Sequence, residues 1–106
     1  MTRPHLAITD AERVLMEILW RTGPLSPAEL MAAVKAVESW AEPTIKTLLH
    51  RLMQRGAVKS EKREARLQYV TQISRDAYLE QQVEALVDRL FDGNRQALIA
   101  YLNQQG

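Results

Sequence analysis

Thr44-Ile45-Lys46-Thr47-Leu48-Leu49-His50-Arg51-Leu52-Met53-Gln54-Arg55-Gly56 is the stretch whose reading decides the fold. Ile45, Leu48, Leu49 and Leu52 recur at the spacing of one helix face, and Lys46, Thr47, His50, Arg51 and Gln54 fall on the other. Gly56 suits the left-handed position that ends a helix. A helix over 43–55 is therefore predicted. Residues 58–61 and 67–71 read as strands, with 62–66 as the turn between them. That turn has no Gly, Asn, Asp or Pro, which predicts a longer, mobile loop and not a two-residue turn. Between Thr44 and Arg66 stand seven Lys or Arg (46, 51, 55, 59, 62, 63 and 66) and two Glu (61 and 64), a net +5 in a chain whose total is +1. A helix with a basic outer face followed by a basic hairpin is the layout of a winged helix-turn-helix. That layout engages duplex nucleic acid through phosphate charge and groove insertion.

Two further helices are written upstream. Thr9 and Glu12 form a T-x-x-E capping box, and Val14, Leu15, Ile18 and Leu19 follow at helical spacing until Gly23-Pro24. Ser26 and Glu29 form a second box with Pro27 at the first helical position, where its missing N–H costs little. Leu30, Met31, Val34 and Val37 supply the apolar side of this second helix.

Downstream, Ser74 is placed to cap a fourth helix with a stripe of Leu79, Val83, Leu86, Val87 and Leu90, flanked by Tyr78 and Phe91. Gly93 interrupts, and Asn94 is placed to cap a last helix carrying Ala97, Leu98, Tyr101 and Leu102. Some 30 residues are too few to bury such a stripe alone. The stripe must dock on a second copy or back on the same chain, and a homodimer is the simpler solution because most soluble oligomers are symmetric. Its interface would draw on Leu79, Val83, Leu86, Val87, Leu90, Leu98, Tyr101 and Leu102. The predicted fold is mainly α with a small β-hairpin: a winged-helix domain over 1–72 and a helical dimerisation region over 73–106. The charge divides accordingly, +3 over 1–72 and −2 over 73–106.

Composition narrows the function. The chain of 106 residues, 46% of them hydrophobic, can build a core, and no apolar run approaches the ~18 residues of a membrane span. Met1-Thr2-Arg3-Pro4-His5 lacks an apolar signal region, so a cytoplasmic location is expected. The absence of cysteine excludes disulfides, thiolate metal sites and cysteine nucleophiles. There is no phosphate-cradling Gly loop and no local Ser/His/Asp motif, so neither enzymatic activity nor a cofactor is expected. His50 and His5 are the two histidines and lie far apart in sequence, which argues against a metal site.

The candidate groove residues are Lys46, Thr47, His50 and Arg51, which share one helix face. Lysine donates to guanine, threonine offers a hydroxyl and a methyl, and arginine binds guanine or phosphate. Thr44 is a candidate either for the helix cap or for a phosphate contact. Lys62, Arg63 and Arg66 are candidates for phosphate, contacts that position a protein without reading sequence. Trp20 and Trp40 read as core. The partner implied is a double-stranded DNA operator; a protein–protein module on the same scaffold is the alternative.

These residues resemble a known family. Ala11-Glu12-Arg13-Val14-Leu15-Met16-Glu17-Ile18-Leu19-Trp20 is similar to the opening A-E-x-x-[VL]-M-x-[IL]-[IL]-W of the BlaI/MecI/CopY type of bacterial repressor, the penicillinase-repressor family. Trp40, then Thr44 to Leu49, Arg51-Leu52 and Gly56, resembles its W-x-x-x-T-[IV]-[RK]-T-[LM]-[IL]-x-R-L-x-x-[KR]-G core, and Tyr69 falls where the wing carries a Tyr. The resemblance covers roughly residues 8–100. It implies a winged helix that reads an inverted-repeat operator, a dimer made by the C-terminal helices, and repression relieved by a signal, with a sensor protein or protease as a further partner. Four departures accompany it. Ala41-Glu42-Pro43 replaces a Ser-Pro-Lys-like entry, so a basic residue is absent there and Glu42 would repel phosphate. Tyr101-Leu102 stands at the gapless equivalent of an Asn-Phe cleavage bond, so that cleavage is not expected. The cysteine cluster of the copper-responsive members is missing, and the short final helix implies a dimer that is smaller or differently arranged.

Overall fold

The structure is a computed structural model that describes residues 7–105; the N-terminal segment with His5 lies outside the described residues. The order is α1 (Asp10–Thr22), α2 (Pro27–Val37), α3 (Glu42–Gln54), β1 (Val58–Arg63), β2 (Arg66–Thr71), α4 (Arg75–Leu90) and α5 (Arg95–Gln105). One compact unit ends at Arg75 and a second begins at Asp76.

Both capping boxes form. The Thr9 hydroxyl accepts from Glu12 N–H at 3.2 Å while Glu12 accepts from Thr9 N–H at 3.0 Å. Ser26 and Glu29 repeat the arrangement at α2, with Pro27 opening the helix. The core of the first unit joins Leu15, Met16, Ile18 and Leu19 of α1, Leu30 and Val34 of α2, and Ile45, Leu48 and Leu52 of α3, closed by Ala57 and Val58. Trp20, Trp40 and Leu49 pack half-buried against it. The Trp20 indole N–H donates to the Ile73 carbonyl at 2.9 Å, so its polar end is also satisfied. Val37 does not join the buried side of α2: it is 57% exposed, because it occupies the last helical residue, beyond Val34.

The end of α3 is a Schellman motif. Ala57 N–H donates to the Leu52 carbonyl at 3.0 Å and Gly56 N–H to the Met53 carbonyl at 3.1 Å. Gly56 sits at φ +77°, a value glycine adopts without steric cost, and Ala57 and Leu52 are both fully buried. The chain is thus turned directly from α3 into β1.

The hairpin departs from its expected form. β1 and β2 pair from Val58↔Thr71 to Arg63↔Arg66, leaving only Glu64 and Ala65 between them. Both have positive φ, +52° and +65°, as a two-residue type I′ turn requires. The loop is therefore short, and the expected longer, mobile loop over 62–66 is incorrect. A type I′ turn matches the right-handed twist of the strands, and the extended pairing it permits offsets the left-handed strain of a glutamate and an alanine. The base of the hairpin is anchored as well. Leu25, between α1 and α2, exchanges two backbone hydrogen bonds with Tyr69, of 3.3 and 2.8 Å, and Gln72 N–H donates to Ala57 O at 2.8 Å.

Glu12 is fully buried, and both of its carboxylate oxygens accept from Arg55 Nη1. Burial alone would raise the Glu12 pKa. The Arg55 hydrogen bond, those from Thr9 and the guanidinium charge outweigh it and hold the carboxyl below its ordinary value. Glu12 and Arg55 occupy two positions of the family motifs, the E of A-E and the [KR] before Gly56.

In the second unit, Tyr78 and Val87 of α4 are buried, whereas α5 has no buried residue. Asn94 caps α5, its side-chain oxygen accepting from Ala97 N–H at 3.1 Å. Arg95 pairs with Glu80 at 3.0 Å, and the Phe91 and Tyr101 rings lie 6.2 Å apart between centroids. No described helix is long and apolar enough to cross a membrane.

Removing Arg55 leaves a buried carboxylate without its cation. Arg55→Ala should cost on the order of 2–3 kcal/mol in denaturant unfolding, discounted because the arginine side chain is itself partly exposed. Because the folded Glu12 pKa is depressed, its stabilisation is full above the unfolded value of about 4.3 and is lost as pH falls through the folded value. The stability difference between the wild type and Glu12→Gln should therefore shrink on acidification below that point. Ala65→Gly relieves a left-handed alanine at ~1–2 kcal/mol and adds chain entropy to the unfolded state, so thermal unfolding should show a net gain of about 0.5 kcal/mol.

A candidate nucleic-acid interface on the third helix and hairpin

Helix periodicity divides the outer surface of α3. Thr44, Lys46, Thr47, His50, Arg51 and Gln54 are all exposed. Thr44, Thr47 and Arg51, with Pro43 and Leu48, line a shallow recess on one flank. Lys46 and His50, with Leu49, Met53 and Tyr69 of β2, line another on the flank toward the hairpin. At 3.6 residues per turn, Thr47, His50 and Gln54 run along the middle. Gln54 belongs to this outer line although it is not among the groove candidates; the same periodicity that buries Leu48 and Leu52 points to it.

Thr44 is not the cap. The N-cap of α3 is Ala41, with no side-chain hydrogen bond, and Thr44 lies inside the first turn with its side chain exposed. Thr47 Oγ1 donates to the Pro43 carbonyl at 2.9 Å. The Glu42 charge at the entrance of α3 has a partner. Lys35 of α2 lies 2.7 Å from the Glu42 carboxylate. That hydrogen bond and charge hold the Glu42 pKa below its ordinary value. The entrance to α3 is thus locally neutral.

Strand alternation divides the hairpin cations. Lys62 shares a face with Val58 and Ser60 and stands opposite Leu67, two residues from Tyr69 on the same face. Arg63 and Arg66 stand opposite each other on the other face. Arg63 meets Glu61 at 2.6 Å and Lys59 meets the same carboxylate at 3.5 Å. The Glu61 pKa is lowered, chiefly by the Arg63 hydrogen bond. Of the seven cations between Thr44 and Arg66, Arg55 is committed to Glu12, and Lys59 and Arg63 share Glu61. Among the described residues, Lys46, Arg51, Lys62 and Arg66 form no salt bridge. The described residues contain no group of three or more His, Asp or Glu able to hold a metal ion.

The penicillinase repressor family model matches residues 8–106. The chain belongs to the penicillinase repressor family. It is 25% identical over 92 residues to the penicillinase repressor of Bacillus licheniformis, covering 87% of this chain and 72% of that one. It is 30% identical over 98 residues to an uncharacterized 16.5 kDa protein of Latilactobacillus sakei, covering 92% and 67%. Among solved structures, the monomeric form of Bacillus licheniformis BlaI in complex with the blaP half-operator superimposes with a TM-score of 0.64 at 26% identity, covering 73% of this chain and 94% of that one. In this family member, the α3 motif positions Lys46 and Arg51 carry exposed cations. Two others, the buried Glu12 and the partly exposed Arg55, pair with each other.

Proposed function

We propose that this chain is a homodimeric, cytoplasmic transcriptional repressor that binds an inverted-repeat operator. α3 enters the major groove and the β1–β2 hairpin lies along the backbone. The observation that carries this function is the outer surface of α3, where Lys46 and Arg51 flank the polar line of Thr47, His50 and Gln54 and are free of salt bridges. Cations at the flanks suit phosphate or guanine, and polar side chains between them suit base edges. Lys62 and Arg66 extend the charge onto the two faces of the hairpin. Family membership and the likeness to a repressor solved with its half-operator support the same function.

The second unit supports the dimer. Leu79 and Val83 are 40% exposed, Leu90 61%, Tyr101 51% and Leu102 56%, and Ile99 adds 47%. So many large apolar side chains left exposed on two helices suit an association surface. Leu86 and Leu98 are half-buried. Val87, at 2% exposure, has little surface of its own to give a partner and acts inside the chain. In a two-fold dimer the recognition helices meet successive major grooves, with half-sites about one helical turn (~34 Å) apart.

Anisotropy titrations across several salt concentrations test the DNA contacts. Lys46→Ala or Arg51→Ala should weaken binding to the chain's own promoter fragment by about 1–2 kcal/mol with thermal unfolding unchanged. Lys62→Ala should weaken all duplexes alike and reduce the salt slope by about one. A slope near zero for the wild type would remove the phosphate contacts altogether. Sedimentation tests the dimer: Leu90→Glu or Leu102→Glu should give monomers, whereas Val87→Ala should lower stability by about 1–3 kcal/mol.

A further inference from the structure

We infer that Thr47 selects a thymine in the operator through its methyl group and not through its hydroxyl. This deepens the proposed repressor function and rests on α3 being the groove element. A threonine hydroxyl has one proton to donate, and in Thr47 that proton is directed to the Pro43 carbonyl at 2.9 Å. The major-groove oxygens and ring nitrogens of guanine and thymine are acceptors, so they receive no hydrogen bond from a hydroxyl engaged in this way. The hydroxyl oxygen can then only accept, from an adenine or cytosine amine, and the part of the side chain left to meet a thymine is the Cγ2 methyl. Thr47 and Pro43 are exposed, and they line a recess together with the largely buried Leu48. Arg51 and Thr44 complete the lining. The C5-methyl of thymine is the apolar group that B-DNA presents in its major groove. A methyl, a proline ring and a leucine form a receptor for that group, and the back-bond to Pro43 fixes the threonine so that the receptor does not rotate away.

The test uses the full chain and a duplex selected by it from a random-sequence pool, with each thymine replaced singly by deoxyuridine, which lacks only the methyl. The wild type should lose about three- to fivefold in affinity at one thymine per half-site, the loss expected for one buried methyl. Thr47→Ser, which keeps the hydroxyl and its back-bond, should lose the same factor on the thymine duplex and be indifferent to deoxyuridine at that position. Thr47→Val, which keeps a methyl and deletes the hydroxyl, should bind within about twofold of the wild type and retain the deoxyuridine penalty. The inference is overturned if no replacement affects the wild type, if Thr47→Ser keeps the full penalty, or if Thr47→Val loses as much as Thr47→Ser. A wild type that selects no duplex, or whose binding survives Lys46→Ala and Arg51→Ala together, overturns the groove placement of α3 and this inference with it. A selected duplex bound through Lys46 and Arg51 without a thymine effect overturns the methyl contact alone.

Discussion

The Glu12–Arg55 pair is the constraint on which the first unit depends. A carboxylate with no solvent exposure is costly without a cation and hydrogen bonds, and Glu12 receives both only if the last turn of α3 lies beside the first turn of α1. Ion pairs of this kind are weak evidence of net stability, since apolar replacements often do as well. Their stronger consequence here is geometric. A helix α3 shifted by one turn would bury an unpaired charge, so the arrangement with Arg55 in place is set apart from its near alternatives. The same carboxylate accepts from Thr9 N–H, which couples the start of α1 to the end of α3 through one side chain.

Fixing the end of α3 also fixes the path of the chain beyond it. Gly56 and the Schellman bonds send the chain straight into β1, and the hairpin is held at its base by Leu25 and Ala57. Helix and hairpin therefore present their outer surfaces from a common, rigid base, a requirement for side chains that must meet base edges at hydrogen-bond distance. The charge available on that surface is smaller than the composition implies. Arg55 works inside the unit, while Glu61 and Glu42 hold cations of their own. The remaining cations place charge at the flanks of α3 and on the hairpin, and leave short or uncharged side chains along the middle of the helix. In the proposed complex, long-range attraction and base discrimination would fall to different residues.

Local signals made most of this architecture legible in the sequence. Both capping boxes, the glycine stops, the buried stripe of α3 and its exposed face follow from residues within one or two helical turns of each other. The parts that were not legible depend on partners distant in sequence. Glu12 reads as a capping residue, and nothing local reveals that Arg55, 43 residues on, also holds it. Glu42 reads as a repulsive charge until α2 brings Lys35 against it. The Glu64-Ala65 turn is misread from composition because strand pairing, a property of both strands, overrides the poor local preference of its two residues. Val37 fails for a simpler reason, since periodicity assigns a face but cannot say where a helix outruns its neighbour.

The second unit follows a different physical rule. α5 has 11 residues and none of them is buried, and an isolated helix of that length is marginal in water. Its cap at Asn94, the Arg95 pair with Glu80 of α4 and the Tyr101 contact with Phe91 are surface interactions worth little singly. In the proposed homodimer, association would cover Leu90, Tyr101 and Leu102 and order α5 in the same step, so the folding of this unit and dimerisation share one free energy. Two recognition helices joined in this way bind with an effective concentration set by the dimer, and a monomer loses that gain without any change at the DNA-facing residues. In that proposed dimer, relief of repression would require no disturbance of α3: any event that weakens the apolar contact between copies would lower operator occupancy while Glu12, Arg55 and the surface they position remain intact.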